Sequence, residues 1–449
     1  MSNHAAPPSP PDDARTPASA AARRVLLATP LTRGPGYAIA ASLSRRGHAV
    51  HVTTDLALPT IHRSRFYASV DHVSPPRGTL TGGIAPRPAT PQEERYRDEL
   101  LDICARRRIE AIMPGTEVDL VFLSRNLAAF RAQGVLAIAP EFERLAQVSD
   151  KFALVETARR HGFPVADALL CASPEEVEAA GERLGRYPLI VRGRSGMGSS
   201  FSWRADDASQ LRAHWETARG RGLSSVFVQH FVQGGRERSF NYLLAPDGTL
   251  LCAFALAKPH HALPSQSTSV VVMAPPPELE TGARMLRALG ITGFAAIQTI
   301  LDPEDGRHKI IEVNARLGSN ARILHGMGID IAGWLLDSAF GLPVPVQAVP
   351  PGRAGVSLLE SVVALSSFRA ARRHSRETTP TPLGLARSYL RLLARRPSLD
   401  VHSRHALRDP WGYWCYAREM GAQVFKVRSE HMLTSMIPWG DLNFDEPSR

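Results

Sequence analysis

The chain has 449 residues, 44% of them apolar, and a formal net charge of +10. That length predicts about three domains or subdomains, and no apolar run approaches the ~18 residues of a membrane-spanning helix. The four cysteines, Cys104, Cys171, Cys252 and Cys415, lie far apart without a CxxC pair, which fits a reducing cytoplasm and argues against a structural zinc site. Only Lys151, Lys258, Lys309 and Lys426 are lysines; the other 49 basic residues are arginines. With no aromatic-interleaved basic motif and no helix-turn-helix pattern, the excess charge points less to nucleic acid than to a small anion such as a nucleotide.

Residues 1–22 are rich in Pro, Ala and Ser and lack the apolar core of a secretory leader, so a disordered tail is expected. From Arg23 the pattern turns regular: "RRVLLATP" as strand, "GYAIAASLSRRG" as helix to Gly47, "HAVHVTTD" as strand, "YRDELLDICARRR" as helix and "IEAIMPG" as strand. Such alternation predicts an open parallel α/β sheet over 23–140. Gly34 and Gly36 with Asp55 beyond are parts of a dinucleotide fingerprint, but Ile39 fills the third small position, which disfavours a nicotinamide site.

A second unit begins at "SDKFALVETARRHG". Ser149 or Asp150 caps a helix that runs to His161 and stops at Gly162. The strand "YPLIVRG", a Gly/Ser-rich loop and a return strand follow, then the helix "DASQLRAHWETARG" and the strand "SSVFVQHFV". "RERSFNYLLAPDGTLLCAFALAK" reads as a hairpin turned at Asp247-Gly248, and "GFAAIQTILDPEDGRHKIIEVNARLG" as another, after the helix "ELETGARMLRALG". Beyond Pro350 the texture changes to an arginine-rich stretch, an amphipathic helix near "GLARSYLRLLARR" and the aromatic cluster "DPWGYWCYA". The expected reading of the stretch from Arg369 to Arg396 is a solvated helix and linker covering a cleft.

Chemistry concentrates in two places. In "IIEVNARLGSN", Glu312, Asn314 and Arg316 alternate, so a strand would project all three to one side while Ile311 and Val313 enter a core. Folding the hairpin about Asp302–Arg307 brings Gln298 opposite Glu312 to within about one residue. Three oxygens, from Gln298, Glu312 and Asn314, would suit Mg²⁺ or Mn²⁺, with Arg316 holding an anion beside it. An edge strand with a solvated polar face is the plainer alternative. The loop "GRSGMGSS" has the G-x-x-x-x-G spacing of a P-loop, but Ser199 stands where lysine is required and a strand follows, so that motif is rejected. Gly193, Gly196 and Gly198 would still let backbone N–H groups converge on a phosphate, or form a flexible hairpin tip. Arg192 ends the strand before the loop.

"SDKFAL", "YPLIVRGRSGMGSS", "VFVQHFVQGGRERSFN", "GFAAIQTILD" and "IIEVNARLGSN", in that order, resemble the ATP-grasp superfamily, in particular its carbamoyl-phosphate synthetase large-subunit type. The likeness covers about Arg23 to Pro343. It departs at Ala315 and Gly193, where the family carries proline, and the single unit without a glutaminase-like segment makes carbamoyl-phosphate synthesis an unexpected activity. The resemblance implies a parallel α/β pre-ATP-grasp domain (23–140), then a two-lobed ATP-grasp fold (141–345; small lobe about 150–225, large lobe about 226–345) and a C-terminal extension (346–449). It implies ATP held by Lys151, Arg192 and the loop Gly196, Met197, Gly198, Ser199 and Ser200. The hinge Gln229, His230, Phe231 and Val232 would pack the adenine, and Glu237 would sit near the ribose or a phosphate. The same resemblance puts the metal on Gln298, Glu312 and Asn314, and the γ-phosphoryl group or an acyl phosphate on Arg316. Lys258, His260, His261, Ser267, Thr268 and Ser269 would line an acceptor pocket, with Glu117 facing the same cleft. The implied activity is ATP-dependent ligation of a small-molecule carboxylate to an amine through an acyl phosphate, by a cytoplasmic protein for which a homodimer is one possible state. A non-catalytic nucleotide-binding protein and a basic nucleic-acid-binding protein are the alternatives.

Overall fold

A computed structural model describes residues 21–29, 35–55, 64–76, 87–194, 201–262, 266–345, 348–365 and 381–426. Residues 1–20, which hold most of the expected tail, and 195–200, the centre of the glycine-rich loop, lie outside them.

The first unit runs β1 (Arg24–Ala28), α1 (Gly36–Arg45), β2 (Ala49–Thr54), β3 (Ser69–His72), α2 (Pro91–Arg107), β4 (Ala111–Pro114), α3 (Glu117–Arg125), α4 (Leu127–Ala132) and β5 (Leu136–Ala137). Its sheet has the order β3-β2-β1-β4-β5 with every pairing parallel. Val25, Leu26 and Leu27 are fully buried, as a central parallel strand covered on both faces requires. Thr116 and Asp119 close a capping box on α3 and so fix Glu117 as its first residue.

Two helices, α5 (Phe142–Ser149) and α6 (Lys151–Arg160), lead into the small lobe. That lobe comprises β6 (Ala168–Cys171), α7 (Pro174–Leu184), β7 (Leu189–Gly193), β8 (Ser202–Ala205), α8 (Ala208–Gly220) and β9 (Val226–His230). Its four-stranded antiparallel sheet, β6-β9-β7-β8, buries Val191, Val226 and Val228 against Leu211 and Trp215 of α8. Of the two residues expected to cap α6, Asp150 does so, accepting from the backbone N–H groups of Phe152 and Ala153. Gly162, at φ 72°, lets the chain turn out of the helix.

The large lobe follows with β10 (Arg236–Leu244), β11 (Leu250–Ala262), β12 (Gln266–Val272), α9 (Pro277–Ala288), β13 (Gly293–Leu301), β14 (His308–Asn314), α10 (Ala321–Gly326) and α11 (Ile331–Ala339). The remaining elements are β15 (Ala354–Val356), α12 over 358–365, α13 (Pro382–Ala394), β16 (Ser398–Leu399), α14 (Val401–Arg404) and α15 (Pro410–Lys426). One sheet of order β14-β13-β10-β11-β12-β15-β16 crosses from the large lobe into the residues after 345. Gly326 permits that junction: a Cβ there would stand 1.9 Å from the Leu399 carbonyl oxygen.

One expectation is corrected by the register of β14. In β14 it is Ile310, not Ile311, that joins Val313 in the core, because the register slips between Gln298 and Thr299 and leaves Ile311 as the extra residue of a bulge. Of the Arg369–Arg396 stretch, 369–380 lie outside the described residues, and α13 is solvated on most of its surface, with Leu383, Leu390 and Leu393 exposed, but is docked by one face. It buries Leu385, Ser388 and Leu392, the last against Ala354 and Val356 of β15, near the opposite end of the sheet from β14. The four cysteines are free and buried. No helix among the described residues is long and apolar enough to cross a membrane.

Candidate functional site

A polar band runs across four neighbouring strands of the large lobe, on the face that looks toward the small lobe and the first unit. On β14 and β13, Glu312 pairs directly with Gln298 and Asn314 with Ala296. Gln298 in turn pairs with Ser239 on β10, and its Nε2 donates to the Ser239 Oγ at 3.2 Å. From β11, the Lys258 ammonium donates to both the Gln298 Oε1 and the Glu237 carboxylate. The opposite face of these strands carries Phe240, Ile297, Ile310 and Val313 in the core. Period-two alternation therefore separates the chemistry from the packing.

Cations close the band from the other side. Asp150 fixes the start of α6, and the Lys151 backbone N–H donates to the Arg194 carbonyl at 2.8 Å. Together these contacts hold Lys151 at the mouth of the glycine-rich loop, with its Nζ 3.5 Å from the Glu312 Oε2. Arg192, only 6% exposed at the end of β7, donates from Nη1 to the Gln229 Oε1 at 3.2 Å and from Nη2 to the Ile311 carbonyl at 3.3 Å. The bulge in β14 frees that carbonyl from the strand ladder, and Arg192 satisfies it. Burial alone would raise the Glu312 carboxyl, but Lys151, the Asn314 amide, Arg192 and Lys258 outweigh it and hold the group below the usual carboxylate range. Burial pulls Lys151 down, opposed by Glu312, and pulls Arg192 down in the same way.

Arg316 lies beyond the end of β14, where its Nε donates to the Glu117 carboxylate at 2.6 Å. Two residues almost 200 positions apart in the sequence, each expected to face the cleft, are thus brought into contact. Glu237 and Lys258, 21 positions apart on neighbouring strands, are likewise brought into contact.

The donor set fits a hard divalent cation. No cluster of three or more His, Cys, Asp or Glu able to hold a metal occurs among the described residues, so a metal here would rest on carboxamide oxygens beside one carboxylate. Gln298 already turns its oxygen to a cation, the Lys258 ammonium. Asn314 presents its Nδ2 to the Glu312 Oε1 at 3.1 Å, and its oxygen would join the set after rotation of the carboxamide. Oxygen-only ligation of this kind suits Mg²⁺.

Other expected residues divide. The side chains of Gln229 and His230 serve the small lobe itself, bonding to the carbonyls of Ala166 and Leu184. Phe231 lies under the Arg204 guanidinium at 5.0 Å, and Val232 accepts from the Gly235 N–H. Gly196, Met197, Gly198, Ser199 and Ser200 are outside the described residues, as is the side chain of His261. His260, expected at an acceptor pocket, has its described contacts with β12 and α13. It is buried, bonded to Ser269 at 2.7 Å and to Ser388 of α13 at 2.9 Å, and stacked on Tyr389 at 4.0 Å. Ser267, Thr268 and Ser269 are buried in β12, and His260, held by Ser269, fastens α13 to the sheet through Ser388 and Tyr389. Nothing in the sequence pairs His260 with Ser388, 128 positions on.

Residues 150–346 match the family described as "Carbamoyl-phosphate synthase L chain, ATP binding domain". The carbamoyl phosphate synthase arginine-specific large chain of Eremothecium gossypii is 26% identical over 238 residues, 51% of this chain and 21% of that protein. The large chain of Methanothermobacter thermautotrophicus is 28% identical over 261 residues, 54% of this chain and 24% of that protein. This chain therefore spans about a quarter or less of the length of these two relatives. Among solved structures, biotin carboxylase from Campylobacter jejuni superposes with a TM-score of 0.58 at 16% identity, covering 74% of each chain. The L-amino acid ligase of Bacillus licheniformis gives 0.56 at 18%, covering 74% of this chain and 79% of that one. Both likenesses are of fold.

Proposed function

We propose, from the premise that residues 150–346 form an ATP-grasp domain of the carbamoyl-phosphate synthase type, that this protein is an ATP-dependent ligase joining a carboxylate to an amine with release of ADP and phosphate. The observation that carries the reading is the band of Gln298, Glu312 and Asn314 on adjoining strands, flanked by Lys151 and Arg192. Lys151, Lys258, Arg192 and Arg316 face Glu117, Glu237 and Glu312. The result is a pocket with one positive charge in excess, suited to a nucleotide that arrives with its metal.

In the first step a carboxylate oxygen of the substrate attacks the γ-phosphorus of ATP and the bond to the ADP oxygen breaks. In the second, the amine nitrogen attacks the acyl carbon, phosphate leaves and the nitrogen loses a proton. A divalent ion on Gln298, Glu312 and Asn314 supplies neutralisation of the phosphate oxygens. Lys151 and Arg192 bind the phosphates. Glu117 orients Arg316, whose planar fork holds the carboxylate and then the acyl phosphate. Lys258 keeps the Gln298 oxygen turned into the site. A cytoplasmic setting accords with this ATP demand and with the buried free thiols.

The test is product analysis with Mg-ATP and paired carboxylates and amines. Stoichiometric ADP and phosphate are expected. AMP with pyrophosphate, or no nucleotide turnover with any pair, would remove the reading.

A further inference from the structure

A cavity of about 250 Å³ lies where the C-terminal ends of β4 and β5 meet the end of the large-lobe sheet and α11. That exceeds the ~150 Å³ of an apolar cavity that takes benzene, so it has room for a branched aliphatic or phenyl-sized group. Its walls include Ile138, Phe294, Leu317 and Leu335. Its charged lining residues are Arg131, Glu141 and Arg316. Arg131 and Glu141 are mostly exposed and pair with each other at 3.5 Å, which places their charges at the rim rather than inside. In open parallel sheets, ligands bind beyond the C-terminal ends of the strands.

The cavity is continuous with the polar band through strand geometry. On β13, Gln298, Ala296 and Phe294 alternate on one face, and Phe294 is a cavity wall. Four residues of strand put that wall roughly 14 Å from Gln298. On the neighbouring strand the Glu312 and Asn314 face leads to Arg316, which lines the cavity and is held there by Glu117. A molecule with its carboxylate at Arg316 would extend its other end into apolar walls, where a second charge would be stripped of water without a partner.

We propose that this cavity holds the apolar body of the carboxylate substrate, an unbranched, branched or aromatic hydrocarbon group of about eight heavy atoms or fewer, with the carboxylate beside Arg316. The assignment rests on the ligase reading and adds the substrate's chemical class to it. An apolar pocket discriminates by about tenfold or more per methylene.

The experiment uses the full chain with Mg-ATP and hydroxylamine as the amine, recording acyl hydroxamate from acetate, butyrate, 4-methylpentanoate, 3-phenylpropionate and succinate. The expected result is a kcat/KM that climbs at least about 100-fold from acetate to the best of the larger monocarboxylates, with succinate poor. Ala339→Phe, at the partly exposed end of α11, fills the cavity from one side. It is expected to lower kcat/KM for 3-phenylpropionate about tenfold or more and to leave acetate within about twofold. Equal turnover of acetate and 3-phenylpropionate, or a preference for succinate, overturns the assignment while leaving a ligase. If no carboxylate is turned over, the ligase reading fails, and calorimetric titration of 3-phenylpropionate with Mg-ADP present decides about the cavity. Saturable binding that Ala339→Phe abolishes supports it, and an absence of binding in the unsubstituted protein overturns it.

Discussion

Glu312 is the carboxylate on which the site's electrostatics turn. It faces the Lys151 ammonium at 3.5 Å, accepts from the Asn314 amide and lies within the field of Arg192 and Lys258. Glu312→Gln keeps the side chain's size and both oxygen-or-nitrogen positions while removing the charge. Lys151 would then stay desolvated without the main group that opposes its fall in pKa, leaving only the weaker pull of Glu117. The divalent ion would keep carboxamide oxygens alone. The expected outcome is a loss of ADP release of roughly 100-fold or more, the scale seen when one preorganised electrostatic group is removed, with a higher Mg²⁺ requirement. Steady-state assays across a Mg²⁺ series measure both, and near-normal turnover at saturating substrates would end the metal-site assignment.

At the scale of the element, β14 shows what a period-two reading captures and what it misses. Alternation places Glu312 and Asn314 on one face, and the turn at Asp302–Arg307 brings Gln298 opposite Glu312. Local capping and turn chemistry is legible too: Asp150 starts α6 and Gly162 stops it. The bulge is not legible, since no glycine or proline marks Ile311, and the extra residue is specified only by what packs on each side. Its effect is concrete. Ile310 and Val313, three apart, both reach the core, while Ile311 is half-exposed and its carbonyl turns to Arg192. Ile310→Ala should therefore cost about 2–5 kcal/mol, and Ile311→Ala about 1 kcal/mol or less. Urea denaturation of the two variants compares them, and a larger loss for Ile311→Ala than for Ile310→Ala would mean that β14 alternates without a bulge. The burial of His260 beneath α13 and the cavity walls were illegible for another reason. Their partners come from segments far apart in sequence, and no local pattern encodes a contact of that kind.

For the whole molecule, the residues after 345 act as a clasp between the first unit and the large lobe. His402 is stacked between Tyr37 of α1, at 4.3 Å, and Tyr416 of α15, at 3.9 Å. Asp409 accepts from the hydroxyls of Tyr37 and Ser64. Arg322 of α10 pairs with Glu360 of α12, both without exposure, and its Nη1 also donates to the Tyr416 hydroxyl at 3.1 Å. Glu360 outweighs the burial of Arg322 and holds that guanidinium charged. Around this pair the imidazoles are kept neutral. Burial pushes His402 and His405 down to about 3 and His325 to about 4, with Asp400 and Asp330 opposing the fall for His402 and His325, and Arg45, Arg404 and Arg322 among the cations that reinforce it. The unfolded chain takes up these protons near pH 6.5 and the folded one only near pH 3–4. The stability they provide is thus full above about 6.5 and is lost as pH falls toward their folded values. Each contributes up to about 1.4 kcal/mol per pH unit within its window. Asp119, buried and raised to about 6, works in the opposite sense and offsets part of one proton. The melting temperature should accordingly fall steadily between pH 6.5 and 4. Neither ring nitrogen of His402 has a hydrogen-bond partner, so His402→Phe keeps the aromatic stack and removes one titration. Thermal melts from pH 7.5 to 4 should show this variant at least as stable as the parent near neutrality and with a visibly shallower acid slope. An unchanged slope would mean that His402 is not among the groups that charge when acid opens the clasp.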